Sequence, residues 1–186
     1  MSIPQDSDLQ SSELSSSFRN AMRRLAATVS IVTCADEDEW HGMTATAVTS
    51  VCIDPPAILV CVNRAAHFYR CLSSSKSFCV NLLGSAHVQI AQGFGGKLRG
   101  VERFDRGNWS LARRLPFLVD ASANLFCQTE SLTHFGTHCI FIGRVKEARH
   151  SEGAAPLVYH NGRYVTTSRL AVHDAASVSK KERFHE

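Results

Sequence analysis

Short segments rich in β-branched and aromatic residues, separated by turn signals, recur along most of this sequence. They predict strands over residues 29–34, 42–53, 57–63, 78–83, 121–130, 137–148, 157–159 and 163–166. Asn161-Gly162, between the last two, is typical of a tight type I′ hairpin turn. Because helical segments are inserted among the strands rather than alternating with them, the pattern predicts a mainly β fold with inserted helices, built as a barrel.

Three segments have helical patterns. The first follows Ser17, a suitable N-cap, and its apolar face consists of Phe18, Met22, Leu25 and Ala26. The other two cover residues 67–73 and 85–92. A glycine cluster at 93–96 follows the last helix, but it does not fit the GxGxxG pattern, and the chain has no GxxxxGK[ST] motif. Neither common phosphate loop is therefore expected.

Length and composition bound the organisation of the chain. A chain of 186 residues, with 44% apolar and 20% charged residues, is expected to form one globular domain. We assign it to residues 17–167, with a flexible Ser-, Asp- and Gln-rich leader at 1–16 and a polar tail at 168–186. No apolar run is long enough to span a bilayer and no secretory signal is evident, so we expect no membrane association and a cytoplasmic location. A net charge of +3 is too small to predict nucleic-acid binding.

Histidine and cysteine spacing shows no metal signature. The seven cysteines include no CxxC pair and most lie within apolar strand segments, so we expect reduced, buried thiols. His134 and His138 are four residues apart, but Gly136 and the residues that follow predict an extended backbone. Two such side chains would lie about 13 Å apart, too far to share one ion. We therefore predict no metal site.

Residues 42–50 combine small side chains with hydroxyl groups. Thr44 and Thr46 alternate there with Ala45 and Ala47. Small residues let a flat ring or a phosphate approach the backbone closely, while hydroxyls and amides supply hydrogen-bond donors. The preference of threonine for β structure also explains this pattern, so taken alone it leaves both interpretations open.

This strand begins a stretch, GMTATAVTSVCIDPPAILVCVNR at residues 42–64, that resembles the flavin reductase family with the FMN-binding split-barrel fold. Further segments resemble family motifs in the same order: 77–83 the F-x-V-N-L strand, 92–94 and 103–104 the following helix and loop, 136–143 the G-[DT]-H strand, and 156–164 the closing hairpin. The resemblance covers about residues 18–167. It implies a split β-barrel of Greek-key-like connectivity.

The resemblance also implies a flavin held between two walls. One wall would consist of Thr44, Ala45, Thr46 and Ala47, and the other of Cys61, Val62, Asn63 and Arg64. Phe94 would lie near the flavin tail or a dimer edge. His138 would line the nicotinamide site, with Tyr159, Arg163 and Tyr164 near its rim. No catalytic residue is assigned, because hydride would pass directly to flavin N5.

The function implied by the resemblance is that of an NAD(P)H:flavin oxidoreductase, which binds FAD or FMN together with NADH or NADPH. Such proteins are the reductase components of two-component flavin-dependent monooxygenases. Reduced flavin would diffuse to a separate oxygenase, an aromatic or phenol hydroxylase, and the reductase is expected to be a homodimer. Two other interpretations stay open: a split-barrel enzyme that retains FMN and oxidises a small substrate directly, and a non-enzymatic flavin-binding module.

Overall fold

The computed structural model describes residues 6–37, 39–98, 100–153 and 155–170, with the backbone alone for residues 6–11. The helices are α1 (Asp6–Met22), α2 (His67–Ser74) and α3 (Val88–Gln92), with short 3-10 segments at Ser85–His87 and Gly100–Phe104 and a π-helical turn at Gly93–Lys97. The strands are β1 (Ala27–Thr28), β2 (Ser30–Ala35), β3 (Trp40–Ala45), β4 (Val48–Ile53), β5 (Pro56–Asn63), β6 (Ser77–Leu82), β7 (Trp109–Ala112), β8 (Leu115–Leu118), β9 (Ala123–Phe135), β10 (His138–His150), β11 (Val158–His160) and β12 (Arg163–Val165).

A seven-stranded antiparallel sheet forms the body of the molecule, in the order β3-β2-β6-β9-β10-β5-β4. Its two edge strands, β3 and β4, are consecutive in the chain, and only Thr46 and Ala47 separate them. In a flat sheet of this order the edges would be about 29 Å apart, so the sheet has to curl until its edges meet. The prediction of a mainly β barrel with inserted helices is confirmed.

Side chains that point into the barrel form one apolar cluster. β5 contributes Ile58, Val60 and Val62, and α2 adds Phe68 and Leu72. The residues between these on β5 are half-buried, because the outer face of the strand is partly open to solvent. The apolar character of β5 is therefore explained by burial within its own barrel.

β2 is buried on both faces, because a second apolar cluster covers the outside of the barrel. Val29 and Ile31 pack in this outer cluster, whereas Val32 points into the barrel. β1, β11 and β12 form a separate three-stranded antiparallel sheet in the outer layer. Val29 joins the two sheets, since its N–H donates to the carbonyl of Leu157 at 2.9 Å and its carbonyl accepts from the N–H of Leu83 at 3.0 Å.

α1 begins at Asp6, so the segment 1–16, which was expected to be a flexible leader, is helical from that residue on. Residues 5–22 contain neither glycine nor proline, and a serine costs only about 0.5 kcal/mol relative to alanine in a helix, so the serine-rich composition does not prevent helix formation. Of the polar tail predicted at 168–186, residues 171–186 lie outside the described residues. No helix in the described part of the chain is long and apolar enough to cross a membrane.

The side-chain amide of Asn81, on β6, is fully buried and bonds to three neighbouring strands. Its Nδ2 donates to the carbonyl of Ile31 at 2.9 Å and to Oγ1 of Thr33 at 3.3 Å, both on β2. Its Oδ1 accepts from the N–H of Leu118 on β8 and from Nδ2 of Asn124 on β9, each at 2.9 Å. One side chain therefore holds β2, β6, β8 and β9 together.

Replacing Asn81 with alanine is expected to lower the free energy of unfolding by about 3 kcal/mol, because each buried polar group left without a partner costs roughly 1–3 kcal/mol. Urea denaturation followed by circular dichroism measures this change. The matched control is Asn108→Ala, at an exposed position, which is expected to change stability by less than about 0.5 kcal/mol. Equal stability of the two variants would contradict the role given to Asn81.

Candidate functional site at one end of the barrel

The link between β3 and β4 lies beside the end of β5. The carbonyl of Ala47 accepts a hydrogen bond from the N–H of Cys61 at 3.0 Å, next to the paired residues Val48 and Val60. Thr46 and Ala47 are both exposed. Two small, accessible residues therefore lie next to the last residues of β5.

β10 brings His138 to the same end of the barrel. In the β5–β10 ladder His138 lies opposite Asn63, and the N–H of Arg64 donates to the carbonyl of Thr137 at 2.9 Å. His138 is exposed, and its Nδ1 lies 2.9 Å from Oγ1 of Thr137. The imidazole is therefore accessible to a ligand, and its backbone is fixed by the sheet.

The turn that follows β5 is closed by Asn63. Its side-chain Oδ1 accepts from the N–H of Ala65 at 2.9 Å, and its carbonyl accepts from the N–H of Ala66 at 3.0 Å. α2 begins directly afterwards, and its N-cap residue, Ala66, makes no side-chain hydrogen bond to the first turn. The N-terminal end of α2, which lacks a side-chain cap, and the exposed guanidinium of Arg64 make the turn locally positive.

The side chains of the two predicted flavin walls do not all point the same way. Ala45, which is 7% exposed, and Val62 belong to the barrel core, so neither side chain can contact a ligand outside the barrel. Thr44 donates its hydroxyl to the carbonyl of Ala91 at 2.7 Å, and Cys61 is half-buried. The exposed members of the two walls are Thr46, Ala47, Asn63 and Arg64.

Phe94 is enclosed rather than presented at the surface. It is 2% exposed and packs against Phe104 and Trp109, with ring centroids 4.9 and 5.3 Å away. It also lies so close to Gly42 that a Cβ at that glycine would be 2.6 Å from the Phe94 ring. Within a single chain the Phe94 side chain therefore packs the outer cluster and is closed to a flavin.

The three other residues predicted at the nicotinamide site lie on the outer sheet. Tyr159 and Tyr164 pair across β11 and β12 with ring centroids 5.3 Å apart, and burial, followed by the nearby Tyr159, raises the pKa of the Tyr164 phenol. Arg163 is exposed at the start of β12. Within the described residues, no hydrogen bond, ion pair or ring contact joins any of the three to His138. Within one chain, His138 therefore lies beside the predicted flavin wall that contains Asn63, whereas Tyr159, Arg163 and Tyr164 lie on the outer sheet.

A cleft of about 450 Å³ lies between β3 and α2. The sequence did not predict it, because its walls come from segments that are far apart in the chain. Its walls are formed by Glu39, Trp40, His41, Gly42, His67, Phe68, Gly100 and Arg103. Arg103 is held by backbone carbonyls, since its Nη1 donates to Gly42 and its Nε to Leu98, both at 2.9 Å. The cleft brings histidines from a strand and a helix to one place.

The cysteines are free thiols, four of them buried. Burial raises the pKa of Cys34 and Cys79 far above the usual range, and that of Cys127 to about 12, so these three behave as apolar core residues. His134 pairs with Cys139 across the β9–β10 hairpin, and its Nε2 lies 3.0 Å from the Tyr69 hydroxyl. The extended backbone expected between His134 and His138 is wrong, because the chain turns at Gly136-Thr137 and places the two histidines on neighbouring strands.

The seven-stranded antiparallel sheet curls into a barrel. The β3–β4 link, the Asn63 turn and His138 form an accessible end of this barrel. This architecture is that of a split-barrel protein. Residues 22–168 match the family model described as "Flavin reductase like domain". The chain belongs to this family, and the resemblance predicted from its motifs is confirmed.

Individual relatives agree with this assignment. The chain is 40% identical to the "FADH(2)-dependent resorcinol hydroxylase, reductase component" of Rhizobium sp. (strain MTP-10005) over 154 residues. The aligned region covers 81% of this chain and 86% of that protein. The chain is also 39% identical over 148 residues to "FMN reductase (NADH) RutF 2" of Rhizobium rhizogenes (strain K84 / ATCC BAA-868), over 79% and 86% of the two chains.

Solved structures of the family have the same fold. BorF, the flavin reductase component of a bacterial two-component tryptophan halogenase, superposes with a TM-score of 0.77 at 32% identity, over 84% of this chain and 99% of that chain. The predicted split-barrel fold is therefore confirmed.

Proposed function

We propose that this protein is an NAD(P)H:flavin oxidoreductase that reduces free FMN or FAD and releases the reduced flavin to a separate oxygenase, an aromatic or phenol hydroxylase. Relatives named as reductase components and as an NADH-dependent FMN reductase support the proposal. The observation that carries it is the meeting of the β3–β4 link, the Asn63 turn and His138 at one accessible end of the barrel.

The exposed residues at this end suit a flat ring that carries a phosphate. Thr46 and Ala47 are small enough to let the ring approach the backbone. Arg64 and the uncapped first turn of α2 supply positive charge and N–H donors for the phosphate. The bound flavin supplies the hydride acceptor. The protein would have to hold the nicotinamide face to face with the flavin, with the two reacting atoms about 3–3.5 Å apart, and exclude water, which requires neither a nucleophile nor an acid–base pair.

His138 is the residue we assign to positioning the nicotinamide. It is exposed beside Asn63 and lies at the start of a long strand, so its backbone is held in place by two neighbouring strands. Its side chain can orient a carboxamide by a hydrogen bond. Tyr159, Arg163 and Tyr164 were predicted at the rim of this pocket, but in the described part of one chain they do not contact His138. In a dimer, a second subunit would supply these residues to the pocket.

A homodimer is part of the proposal. Phe18 and Met22 leave the apolar face of α1 exposed, and Ile53 and Phe135 are 90% and 81% exposed. Phe18 and Met22 lie one helical turn apart, so they form a continuous exposed apolar strip that a second subunit would cover. The apolar character of β5 is not evidence for a dimer, since its inward-pointing residues are buried in its own barrel. The free thiols fit the reducing cytoplasm that we propose as the location.

The experiment that tests the proposed activity is an anaerobic assay of NADH and NADPH oxidation with FMN, FAD and riboflavin in turn. We expect multiple turnovers with free flavin, and loss of flavin from the protein on dialysis. Protein that stays yellow through dialysis and oxidises a small substrate would instead indicate a retained FMN. Flavin binding without oxidation of either nicotinamide would overturn the proposal in favour of a binding module.

Replacing Ala47 with leucine is expected to raise the FMN dissociation constant at least about tenfold, roughly 1.4 kcal/mol, because the larger side chain keeps the ring from the backbone. Fluorescence titration measures the constant. Ala155→Leu, at another exposed position, is the control and should bind FMN like the parent protein. Ala45→Val is unsuitable for this purpose because Ala45 is in the barrel core, where added volume lowers stability. Unchanged affinity in folded Ala47→Leu would exclude the link from the flavin site.

Replacing His138 with alanine is expected to lower kcat/KM for NADH by a factor of roughly 2 to 100, which corresponds to one lost hydrogen bond of about 0.5–3 kcal/mol. The FMN dissociation constant and the melting temperature should change little, because His138 is exposed and the flavin walls come from other strands. His150→Ala, at the opposite end of β10, is the control. Normal NADH kinetics, or a parallel loss of all three properties, would rule out the nicotinamide role.

A further inference from the structure

Three side chains that can bind a metal meet at the cleft between β3 and α2. His41, His67 and Cys71 each offer one ligand atom, and these atoms all lie within 4.8 Å of one another. Among the described residues, no other group of three or more histidine, cysteine, aspartate or glutamate side chains meets this condition. His67 begins α2, whose first-turn N–H groups we assign to the flavin phosphate, but the side chains of His41, His67 and Cys71 are not among the residues assigned to flavin or nicotinamide.

Two of the three ligands lie on one face of α2. His67 and Cys71 are four residues apart, the spacing that brings helical side chains side by side. Nδ1 of His67 is 3.8 Å from Sγ of Cys71. Tetrahedral zinc, with Zn–S near 2.3 Å and Zn–N near 2.0–2.1 Å, requires about 3.6 Å between two such atoms. The pair is therefore already spaced as two ligands of one ion.

The third ligand comes from β3 and is held in place. His41 is only 11% exposed, and its Nε2 lies 2.7 Å from Oδ2 of Asp36. Its ring centroid is 6.1 Å from that of His67. A carboxylate bonded to one nitrogen of a histidine fixes the ring and strengthens the other nitrogen as a ligand. Because Asp36 engages Nε2 of His41, Nδ1 is the nitrogen left to bind an ion.

The site is open to an ion from solution. His41 and His67 line the cleft of about 450 Å³, and the His67 side chain is exposed. The nitrogen and sulfur donors exclude Mg²⁺ and Ca²⁺, which prefer oxygen, and they match Zn²⁺ and neighbouring transition metals. Movements of about 1 Å, within the reach of side-chain rotation, bring all the ligand atoms to bonding distances.

We propose that His41, His67 and Cys71 form a three-ligand site for a divalent transition-metal ion, with Zn²⁺ as the best match and water from the cleft as the fourth ligand. The ion would join β3 to α2, the helix that follows the Asn63 turn. This site does not depend on the proposed reductase activity, and its test uses no activity measurement.

The experiment is a titration of the chelator-treated full-length protein with Zn²⁺ against a chromophoric competitor, together with a Co²⁺ absorption spectrum. We expect one equivalent of each metal to bind, and Co²⁺ to show a thiolate-to-metal charge-transfer band in the near ultraviolet. His41→Ala, His67→Ala and Cys71→Ser should each raise the Zn²⁺ dissociation constant at least about tenfold, and Cys71→Ser should remove the charge-transfer band. Zn²⁺ should raise the melting temperature of the parent protein but not that of Cys71→Ser.

The control variants are Cys52→Ser and His150→Ala, which change an exposed thiol and an exposed imidazole outside the cleft. Both should bind Zn²⁺ like the parent protein. His67→Ala and Cys71→Ser alter side chains that are not fully buried, so circular dichroism should show them folded. The proposal is overturned if the parent protein binds no Zn²⁺, if binding is equal in the parent and all three ligand variants, or if the Co²⁺ complex lacks the thiolate band.

Discussion

The two-residue link between β3 and β4 is the constraint on which the rest of the structure depends. Three Cα–Cα steps of 3.8 Å reach at most about 11 Å, whereas the edges of a flat sheet of this order would be about 29 Å apart. Curling is therefore compulsory, and it encloses the apolar faces of β2 and β5 in one core. It also sets the Ala47 carbonyl against the N–H of Cys61, so the candidate site follows from the closure of the barrel.

Closure of the barrel does not determine the register of the strands, whereas the hydrogen bonds of Asn81 do. Its amide is satisfied only when β2, β8 and β9 present Ile31, Leu118 and Asn124 at the right height. A slip of one residue would leave buried donors unpaired and would turn each inward side chain outward. Because β2 is buried on both faces, such a slip would misplace buried side chains on either side of the strand. The polar network therefore selects one register for a sheet held together mainly by apolar contacts.

The sequence was most informative where local chemistry decides the structure. Asn161 and Gly162 both have positive φ, 49° and 79°, as the predicted type I′ turn requires, and breakers marked most strand ends. The break at Thr46-Ala47 could not be predicted, because neither residue disfavours a strand and only the closing barrel imposes it. The curling of the sheet also decides which face of β5 points into the core, and it turns Val62 inward, away from a ligand. The cluster of His41 with His67 was invisible because tertiary packing alone brings β3 to α2.

A site that works by holding two flat rings together leaves few marks on a sequence. The exposed members of the site proposed here are two small residues, one asparagine that closes a turn, one arginine and one histidine, and none of them is distinctive by type. Their positions are distinctive, since β3 leads into the link and α2 starts where the Asn63 turn ends. The three metal-binding side chains join these same two elements. An ion bound there would restrain α2 against β3, and so restrain both walls of the proposed flavin site without touching either wall.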